Sequence, residues 1–419
     1  MAAALGVLVS CGSVKSGEEV VAASRDSKVV VAYVTSWSEV MPDPQYMTHI
    51  NYAFGHVNES FNGVKIDNEE RLRQIVDLRK QKPELKVLLS IGGWGSGRFS
   101  EMAANDEYRR AFVADCARVV KEFALDGIDI DWEYPTSSMA NISSSPDDTE
   151  NFTLLMQDIR AAIGNEKELT LATVASARYI DFKAILPSVD FVNIMAYDMA
   201  SAPKHHSALY PSGHSGDITS DGAVTAHLKA GVPPSKLVMG MPFYGRGGDG
   251  YPSFQDYNKV GNTDTQYTEK WDEVAQVPYL ADKNDTLVFG FENPRSLAIK
   301  CQYILDKDLL GGMYWDYSGD NEQGDLRRTV AENLLGKPHK AKVLVLTERG
   351  GQHGGFTDAG LRWLAAEGAK GNFSITEINN ARNITEAYLS QFSLVIQLDF
   401  PPYTWPKEAE DAFVKYIEE

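Results

Sequence analysis

Cysteine and positive charge are both scarce in this chain. Its 419 residues contain only three cysteines, Cys11, Cys116 and Cys301, which are too few for a disulfide framework. Its 40 lysines and arginines are outnumbered by 58 aspartates and glutamates, which gives a formal net charge of -18. Nucleic acids and anionic membrane surfaces are bound through basic patches, so this balance argues against both as partners. A neutral ligand is compatible with this net negative charge.

A hydrophobic run long enough to span a bilayer is also missing, although the N-terminus is apolar. The stretch MAAALGVLVSCGS is shorter than the roughly 20 residues that a transmembrane helix needs. Leu8 to Cys11 resemble a bacterial lipobox, in which the cysteine becomes the lipid-bearing first residue. We therefore expect residues 1–27 to be an export signal and tether, with a lipid on Cys11 that holds the protein at the cell envelope. A cleaved signal peptide followed by secretion is the alternative.

Short strands alternate with longer helices from Lys28 onward. Segments such as DEYRRAFVADCARVVKEFA (106–124) have the apolar spacing of amphipathic helices. Runs of β-branched and aromatic residues predict eight strands, at 29–37, 49–54, 86–94, 126–134, 169–175, 191–198, 236–244 and 311–318. Eight strands alternating with helices are typical of a (β/α)8 TIM barrel, so we predict the α/β class and a barrel domain over residues 28–337.

The C-terminal ends of these strands carry the most unusual side chains. They are Trp37, Trp94, Glu133, Tyr197, Asp198, Tyr244, Arg246 and Trp315. In (β/α)8 barrels the active site forms at this end of the strands. Because several independent strands agree, we expect a ligand-binding cleft at this mouth of the barrel.

The segment FALDGIDIDWEYP (123–135) places carboxyl groups inside a predicted strand. Asp129, Asp131 and Glu133 alternate with apolar residues, so the period of two directs all three to one face. Buried carboxylates lose solvation and repel one another, which is costly unless protons or partners are shared. A solvated edge strand is the alternative, but it does not explain the apolar flanks. Perturbed carboxylates cluster at catalytic sites, so this strand is the candidate catalytic centre, with Asp126 as structural support at its start.

Five ordered motifs resemble those of glycoside hydrolase family 18, the chitinases and related endo-β-N-acetylglucosaminidases. DGIDIDWEYP (126–135) is similar to the family's DxxDxDxE motif, and SIGGW (90–94) to its SxGG strand. MAYD (195–198), PFYGR (242–246) and GGMYWDYSGD (311–320) resemble its motifs on strands six, seven and eight. The resemblance covers nearly all of the predicted barrel. It implies retaining hydrolysis of β-1,4 bonds next to N-acetylglucosamine, with no metal or organic cofactor.

The resemblance implies roles for four catalytic residues. Glu133 corresponds to the general acid, which protonates the leaving glycosidic oxygen. In this family the carbonyl oxygen of the substrate's own N-acetyl group attacks the anomeric carbon. Asp131 would orient that group and Asp129 would share a proton with Asp131. Tyr197 would hydrogen-bond the acetamido carbonyl.

The same resemblance implies a set of substrate-binding residues. They are Tyr33, Trp94, Tyr134, Met195, Asp198, Tyr244, Arg246 and Trp315, with Trp315 as the floor of the −1 subsite and Trp94 as a +1 platform. Ser90 is implied to support the aspartates. No metal site is expected. His205, His206 and His214 lack a carboxylate or thiol spacing that suits zinc, so we expect a solvated loop there.

Residues 341–419 begin a second pattern. AKVLVLTERGG and FSLVIQLDFPP are typical of strands, and FTDAGLRWLAAEGA and WPKEAEDAFVKYIEE of helices. Together they resemble the start of trehalose-utilisation-type domains with a glutamine-amidotransferase-like fold, which implies a partial Rossmann-like or flavodoxin-like α/β segment. The span contains no cysteine, so we assign it no amidotransferase activity.

The sequence therefore predicts a monomeric, retaining endo-glycosidase that hydrolyses chitin or chitooligosaccharides. An endo-β-N-acetylglucosaminidase that cuts the chitobiose core of N-glycans is the first alternative. A non-catalytic chitinase-like lectin is the second, but such proteins usually lose the acid and Glu133 is present. Many chitinases insert a sizeable α+β subdomain between strands seven and eight. Residues Gly247 to Asn293 could hold only a small version and show no clear domain, so we expect a shallow cleft suited to endo action on soluble chains.

Overall fold

A computed structural model of the chain describes residues 28–248, 251–260, 267–336, 341–347, 354–370, 373–390, 392–398 and 405–418. Cys11 and the predicted signal and tether lie outside the described residues, so lipid attachment and export stay predictions. Within the described ranges, none of the helices combines the length and the apolar character needed to cross a membrane. Contacts divide the chain into two compact units, Met1–Leu335 and Gly336–Glu419.

Eight parallel strands close into a barrel in the first unit. In chain order they are Val29–Thr35, His49–Val57, Lys86–Gly92, Gly127–Asp131, Glu168–Val174, Phe191–Met195, Leu237–Pro242 and Gly311–Trp315. The first strand pairs with the second and with the eighth, with Val31 opposite His49 and Val29 opposite Gly311. This double pairing closes the ring. Each strand overlaps one of the eight predicted from the sequence, and the prediction of a (β/α)8 barrel is confirmed.

Helices connect the barrel strands. They span Glu69–Val76, Phe99–Ala104, Asp106–Glu122, Asp148–Ile163, Phe182–Ile185, Ser220–Lys229, Pro294–Asp306 and Asp325–Leu334. The longest of these begins after Asn105, whose side chain accepts hydrogen bonds from the backbone N–H groups of Glu107 and Tyr108 at 2.9 and 3.0 Å. The first amides of a helix have no partner within it, so this cap fixes where the helix begins.

The fourth strand shows how side chains are divided between the two sides of the barrel wall. Ile128 and Ile130 belong to the apolar core that also contains Phe112 and other helical residues. Asp129, one position along, instead hydrogen-bonds to side chains of the first, third, fifth and sixth strands. The period of two therefore directs the isoleucines outward to the helices and the aspartate into the barrel, as the sequence predicts.

A small antiparallel sheet stands between the seventh and eighth barrel strands. Its five strands are, in spatial order, Gln255–Asp256, Tyr244–Gly247, Leu287–Gly290, Val277–Ala281 and Thr268–Asp272. Residues Gly247 to Asn293, expected to hold at most a small subdomain, contribute four of these five strands, and they belong to the same compact unit as the barrel. The sheet itself was not identified from the sequence, and the shallow cleft stays a prediction. Strands of two to five residues are too short for a period of two to be counted reliably. Their pairing depends on antiparallel partners that the local sequence does not reveal.

The second unit contains a three-stranded parallel sheet. Ala341–Thr347 lies between Phe373–Ile378 and Leu394–Leu398, and helices span Gly354–Lys370, Glu386–Leu389 and Lys407–Glu418. The strand Phe373–Ile378 was not identified from the sequence. The order second, first, third is also that of the first three strands of flavodoxin-like sheets. A partial Rossmann-like or flavodoxin-like segment over residues 341–419 stays a prediction.

Candidate active site

Asp129 lies inside the barrel and accepts hydrogen bonds from four side chains. Tyr33 Oη and Ser90 Oγ donate to one carboxylate oxygen, each at 2.8 Å. Thr170 Oγ1 and Asn193 Nδ2 donate to the other oxygen at 2.5 and 3.4 Å. Burial raises the pKa of this carboxyl, while the four hydrogen bonds oppose the rise. The donors come from four different strands, so they fix both the position and the orientation of Asp129.

Asp131 and Glu133 continue the series toward the barrel mouth. Asp131 is 4% exposed, and its burial, with the charges of Glu133 and Asp129, raises its pKa well above the usual range. The pKa of Glu133 is raised to about 7, mainly by burial. A hydrogen bond with Tyr134 lowers this pKa and the negative charge of Asp198 raises it. Glu133 therefore keeps a proton near neutral pH, which is the condition for a general acid.

Asp198 and Arg246 form a two-point ion pair at the ends of the sixth and seventh strands. Arg246 Nε and Nη2 donate to the two carboxylate oxygens at 2.6 and 2.7 Å, and His206 Nδ1 lies 3.5 Å from the same carboxylate. Burial would raise the pKa of Asp198, but Arg246 and His206 hold it well below the usual range. Asp198 stays ionised at neutral pH, whereas Glu133 holds its proton up to about pH 7, so the two carboxyl groups have opposite acid–base states below that pH.

Two tyrosines line the wall beside these carboxyl groups. The rings of Tyr197 and Tyr244 are 6.1 Å apart and nearly perpendicular. Burial raises the pKa of both hydroxyls well above the usual range, and the charge of Asp131 adds to the rise at Tyr197. Both hydroxyls therefore remain protonated as hydrogen-bond donors, and that of Tyr244 is hydrogen-bonded to the carboxylate of Asp198. Met195 is half-buried in the same apolar cluster as Tyr197.

Aromatic rings surround Trp315 at the end of the eighth strand. Its ring centroid lies 5.6 Å from that of Tyr33, 5.5 Å from Phe54 and 6.4 Å from Trp37. Trp37 is 63% exposed, so its face is open to a ligand. A cavity of about 520 Å³ adjoins these rings, and its lining comprises Trp37, Ser38, Phe254, Asp256, Asn258, Lys259, Trp315, Asp316 and Ser318.

A second aromatic group follows the third, fourth and fifth strands. Trp94 is 62% exposed and meets the ring of Tyr134 edge-on, with centroids 6.4 Å apart. Tyr134 in turn stacks on Tyr179 at 5.4 Å. The rings around Trp315 belong to the eighth, first and second strands. The two aromatic groups therefore occupy different halves of the barrel mouth, and Glu133 belongs to the strand that ends at the second group.

Two glycines let the third strand pass close to the catalytic strand. At Gly92, where φ is +132°, an added Cβ would lie 2.0 Å from the backbone oxygen of Asp131. At Gly93, where φ is +95°, it would lie 2.7 Å from the ring of Phe54. Both backbone conformations would be strained for any residue with a Cβ atom. Steric exclusion therefore explains why the SIGGW motif has two consecutive glycines at this point of the barrel.

The structure places the predicted site residues together at the C-terminal end of the barrel. They are Tyr33, Trp94, Asp129, Asp131, Glu133, Tyr134, Met195, Tyr197, Asp198, Tyr244, Arg246 and Trp315. Asp126 lies at the opposite end of its strand, where it accepts a hydrogen bond from Val87 N–H at 2.8 Å and is 3.3 Å from Arg79. This placement agrees with its structural assignment.

Sequence reasoning missed several residues of the site. Asn193 could have been found, because it is the one polar residue of the strand Phe191–Met195. Thr170 shares its strand with Glu168 and Thr173, so its signal is weaker. Phe54, Tyr179 and Phe254 carry no such signal, since an aromatic residue in an apolar segment or loop is indistinguishable from ordinary packing.

Two of the three histidines after the sixth strand are buried, so the prediction of a solvated loop is wrong for them. His205 Nε2 lies 3.2 Å from the carboxylate of Asp272 in the small sheet, and His206 packs against Asp198 and the ring of Tyr244. His214 is exposed. The small sheet covers this loop, and its presence could not be predicted. Over the described part of the chain, no group of three or more histidine, cysteine, aspartate or glutamate residues is placed to hold a metal ion.

Comparison with known proteins agrees with this geometry. Residues 29–320 match the sequence model of glycosyl hydrolases family 18. Chitotriosidase-1 of Mus musculus is 31% identical, over 70% of this chain and 74% of that protein. Chitinase A1 of Niallia circulans is 29% identical, over 72% of this chain and 58% of that protein, so this match spans less than two thirds of chitinase A1.

A solved structure shows the same barrel. The family 18 N-acetylglucosaminidase from Paenibacillus barengoltzii has 32% sequence identity and a TM-score of 0.68, and the match covers 73% of this chain and 100% of that one. The chain therefore belongs to glycosyl hydrolases family 18. With chitinases among its relatives, it is a glycoside hydrolase of the chitinase type. The family match ends before residue 341, and the likeness of the second unit to trehalose-utilisation-type domains stays a prediction.

Proposed function

We propose that this enzyme hydrolyses β-1,4 bonds in chitin and chitooligosaccharides by substrate-assisted catalysis with retention. The observation that carries the proposal is the series of carboxyl groups on one face of the catalytic strand, with the buried Asp129 held by four hydrogen bonds beneath Asp131 and Glu133. Glu133, with a pKa of about 7, can donate a proton to the leaving oxygen. Asp131, beneath it, is buried with a raised pKa and is poorly suited to act as a free carboxylate nucleophile. A nucleophile supplied by the substrate's acetamido group fits this arrangement.

In the first step, Glu133 gives its proton to the glycosidic oxygen as the bond from that oxygen to the anomeric carbon breaks. The acetamido carbonyl oxygen of the −1 sugar forms the new bond to the anomeric carbon, which yields an oxazolinium ion. The proton that Asp131 shares with Asp129 moves toward Asp129, so that Asp131 can accept a hydrogen bond from the acetamido N–H and balance the developing positive charge. Tyr197 donates to the acetamido carbonyl oxygen. In the second step, the Glu133 carboxylate takes a proton from water, which attacks the anomeric carbon and restores the acetamido group with net retention.

Endo action is supported by the aromatic rings in both halves of the barrel mouth. The apolar C–H face of a pyranose packs on exposed aromatic rings, and Trp37 and Trp94 each present more than 60% of their surface. The cavity of about 520 Å³ next to Trp315 provides room for sugars on one side of the acid. Trp94 and Tyr134 offer a surface on the other. A chain that continues past the scissile bond in both directions fits these two surfaces.

A second candidate function is cleavage at the N-acetylglucosamine units of N-glycans, in the chitobiose core. The observation in its favour is that the solved structure with 32% identity is a family 18 N-acetylglucosaminidase, so an enzyme with a similar barrel acts at N-acetylglucosamine units. In this reading, Glu133, Asp131 and Tyr197 keep the same roles, because the −1 sugar is the same. Only the sugars farther along the two aromatic surfaces would differ.

One competition separates the candidates. The purified protein is offered an equimolar mixture of chitopentaose and a high-mannose glycopeptide, and the products are followed by mass spectrometry, with Glu133→Gln as the inactive control. Conversion of the pentamer to dimer and trimer supports the proposed function. Cleavage of the glycopeptide alone, with one N-acetylglucosamine left on the peptide, supports the second candidate. Binding of either substrate without cleavage would support the alternative of a non-catalytic chitinase-like lectin.

A further inference from the structure

Three polar residues outside the catalytic set, His56, Asp67 and Ser96, are joined by hydrogen bonds, and Ser96 follows Trp94 by two positions in the chain. His56 Nδ1 lies 2.8 Å from Ser96 Oγ, and His56 Nε2 lies 3.0 Å from the carboxylate of Asp67. The histidine and aspartate side chains are 28% and 37% exposed, so solvent covers them only in part. Each ring nitrogen has its own partner, and together the two partners fix the orientation of the imidazole.

Trp94 stands in a tight turn that this histidine holds. The N–H of Ser96 donates to the carbonyl oxygen of Gly93 at 2.9 Å, and Gly95 within the turn has a φ of +81°. Trp94 is 62% exposed, so burial of its own side chain contributes little to its position. The hydrogen bond between Ser96 and His56 ties the far end of the turn to the second barrel strand.

Asp67 is itself anchored to the barrel. Its backbone N–H donates to the carbonyl oxygen of Phe54 at 3.0 Å, and its carbonyl oxygen accepts a hydrogen bond from the hydroxyl of Tyr52 at 2.9 Å. Tyr52 is fully buried. A continuous set of hydrogen bonds therefore runs from the barrel core through Asp67 and His56 to Ser96, and stops beside Trp94.

We infer that His56 is a positioning residue for Trp94, and that the Asp67–His56–Ser96 chain sets the affinity for sugars on the leaving-group side of the scissile bond. The inference rests on the proposed function, because it needs a sugar stacked on Trp94. Without His56 the turn is mobile, so Trp94 must be ordered when the substrate binds. The conformational entropy lost in that ordering lowers the binding affinity. Proton transfer from Glu133 does not pass through this chain of hydrogen bonds and keeps its rate.

Two substrates separate positioning from chemistry. Chitohexaose can extend over Trp94, whereas chitobiose oxazoline, a synthetic form of the reaction intermediate, leaves that side of the site empty. In His56→Ala we expect KM for chitohexaose to rise about fivefold, which is the change that the loss of one aromatic stacking contact would cause. The value of kcat should stay within twofold of wild type. Hydrolysis of the oxazoline should keep both constants within twofold. Ser96→Ala removes only a hydroxyl and should shift KM in the same direction.

Matched variants test the path of the effect. An asparagine side chain places its amide near the position of imidazole Nδ1, and a glutamine places it near Nε2. His56→Asn can keep the contact with Ser96 and should recover part of the lost affinity, whereas His56→Gln should behave like His56→Ala. His56→Ala combined with Trp94→Ala should be no worse than Trp94→Ala alone, since the two residues act as one unit.

The outcomes are distinct. Equal losses on chitohexaose and the oxazoline, or effects of His56→Ala and Trp94→Ala that add, would overturn the positioning role and leave the proposed function intact. A rise of KM in His56→Ala with none in Trp94→Ala would also overturn it, together with the platform assigned to Trp94. If the wild-type protein hydrolyses neither substrate, the proposed function fails and the inference fails with it.

Discussion

Replacement of Glu133 by glutamine tests the acid–base assignment through two independent quantities. The substitution keeps the shape of the side chain and removes the transferable proton. General acid catalysis contributes roughly 10²–10⁴-fold, so hydrolysis of chitopentaose should fall by at least that factor. In the wild-type enzyme, kcat/KM should fall tenfold per pH unit above about pH 7. The reason is that the pKa of Glu133 is about 7 and only the protonated form donates.

The same pKa shift predicts a change in stability. Burial raises the pKa of Glu133 from 4.5 to about 7, a difference worth about 3 kcal/mol. The unfolded chain releases this proton near pH 4.5, whereas the folded protein keeps it until about pH 7. Stability is therefore lost as the pH rises between these values, and the full cost applies above pH 7. Glu133→Gln carries no charge, so it should be more stable than wild type by up to about 3 kcal/mol at pH 8 and nearly equal at pH 4.

Denaturant unfolding followed by tryptophan fluorescence at pH 4 and pH 8 measures this difference. Glu166→Gln is the control, because Glu166 is exposed and its removal should change stability equally little at both pH values. An equal gain for Glu133→Gln at both pH values would refute a pKa raised by burial. Turnover near the wild-type rate in that variant would refute the assignment of the general acid.

Three further substitutions follow from the geometry. Asp131→Asn should keep the fold and lower kcat on chitopentaose by roughly 10²–10³-fold, because an amide cannot pass a proton to Asp129 and become the anion that balances the developing charge; initial rates measure this. Arg246→Lys replaces the two-point pair with Asp198 by a single contact, so KM should rise and stability fall by about 1 kcal/mol in a thermal melt. Lys300 and Glu292 form an ion pair between two fully buried side chains, so Lys300→Met leaves the carboxylate of Glu292 buried without its cation. It should cost about 3–5 kcal/mol in a denaturant titration, part of which Glu292→Gln in the same chain should recover.

The barrel could be predicted because its signals are local. Each of the eight strands has a run of apolar residues with the right length and spacing, and the connecting segments have helical periodicity. The small sheet could not be predicted, since its strands are two to five residues long and pair with distant antiparallel partners. The prediction for His205 and His206 failed for the same reason, because that sheet helps to bury the loop that carries them. The strand Phe373–Ile378 was also missed.

The sequence by itself determined that Asp129, Asp131 and Glu133 share one face, because side chains alternate with a period of two in any strand. Only the tertiary structure decided how these carboxyl groups differ. Tyr33 and Thr170 lie 96 and 41 residues from Asp129, and closure of the barrel brings both into hydrogen-bonding distance. Arg246 reaches Asp198 across 48 residues. Desolvation and charge act through space rather than along the chain, so the proton on Glu133 and the charge on Asp198 at neutral pH are properties of the folded barrel.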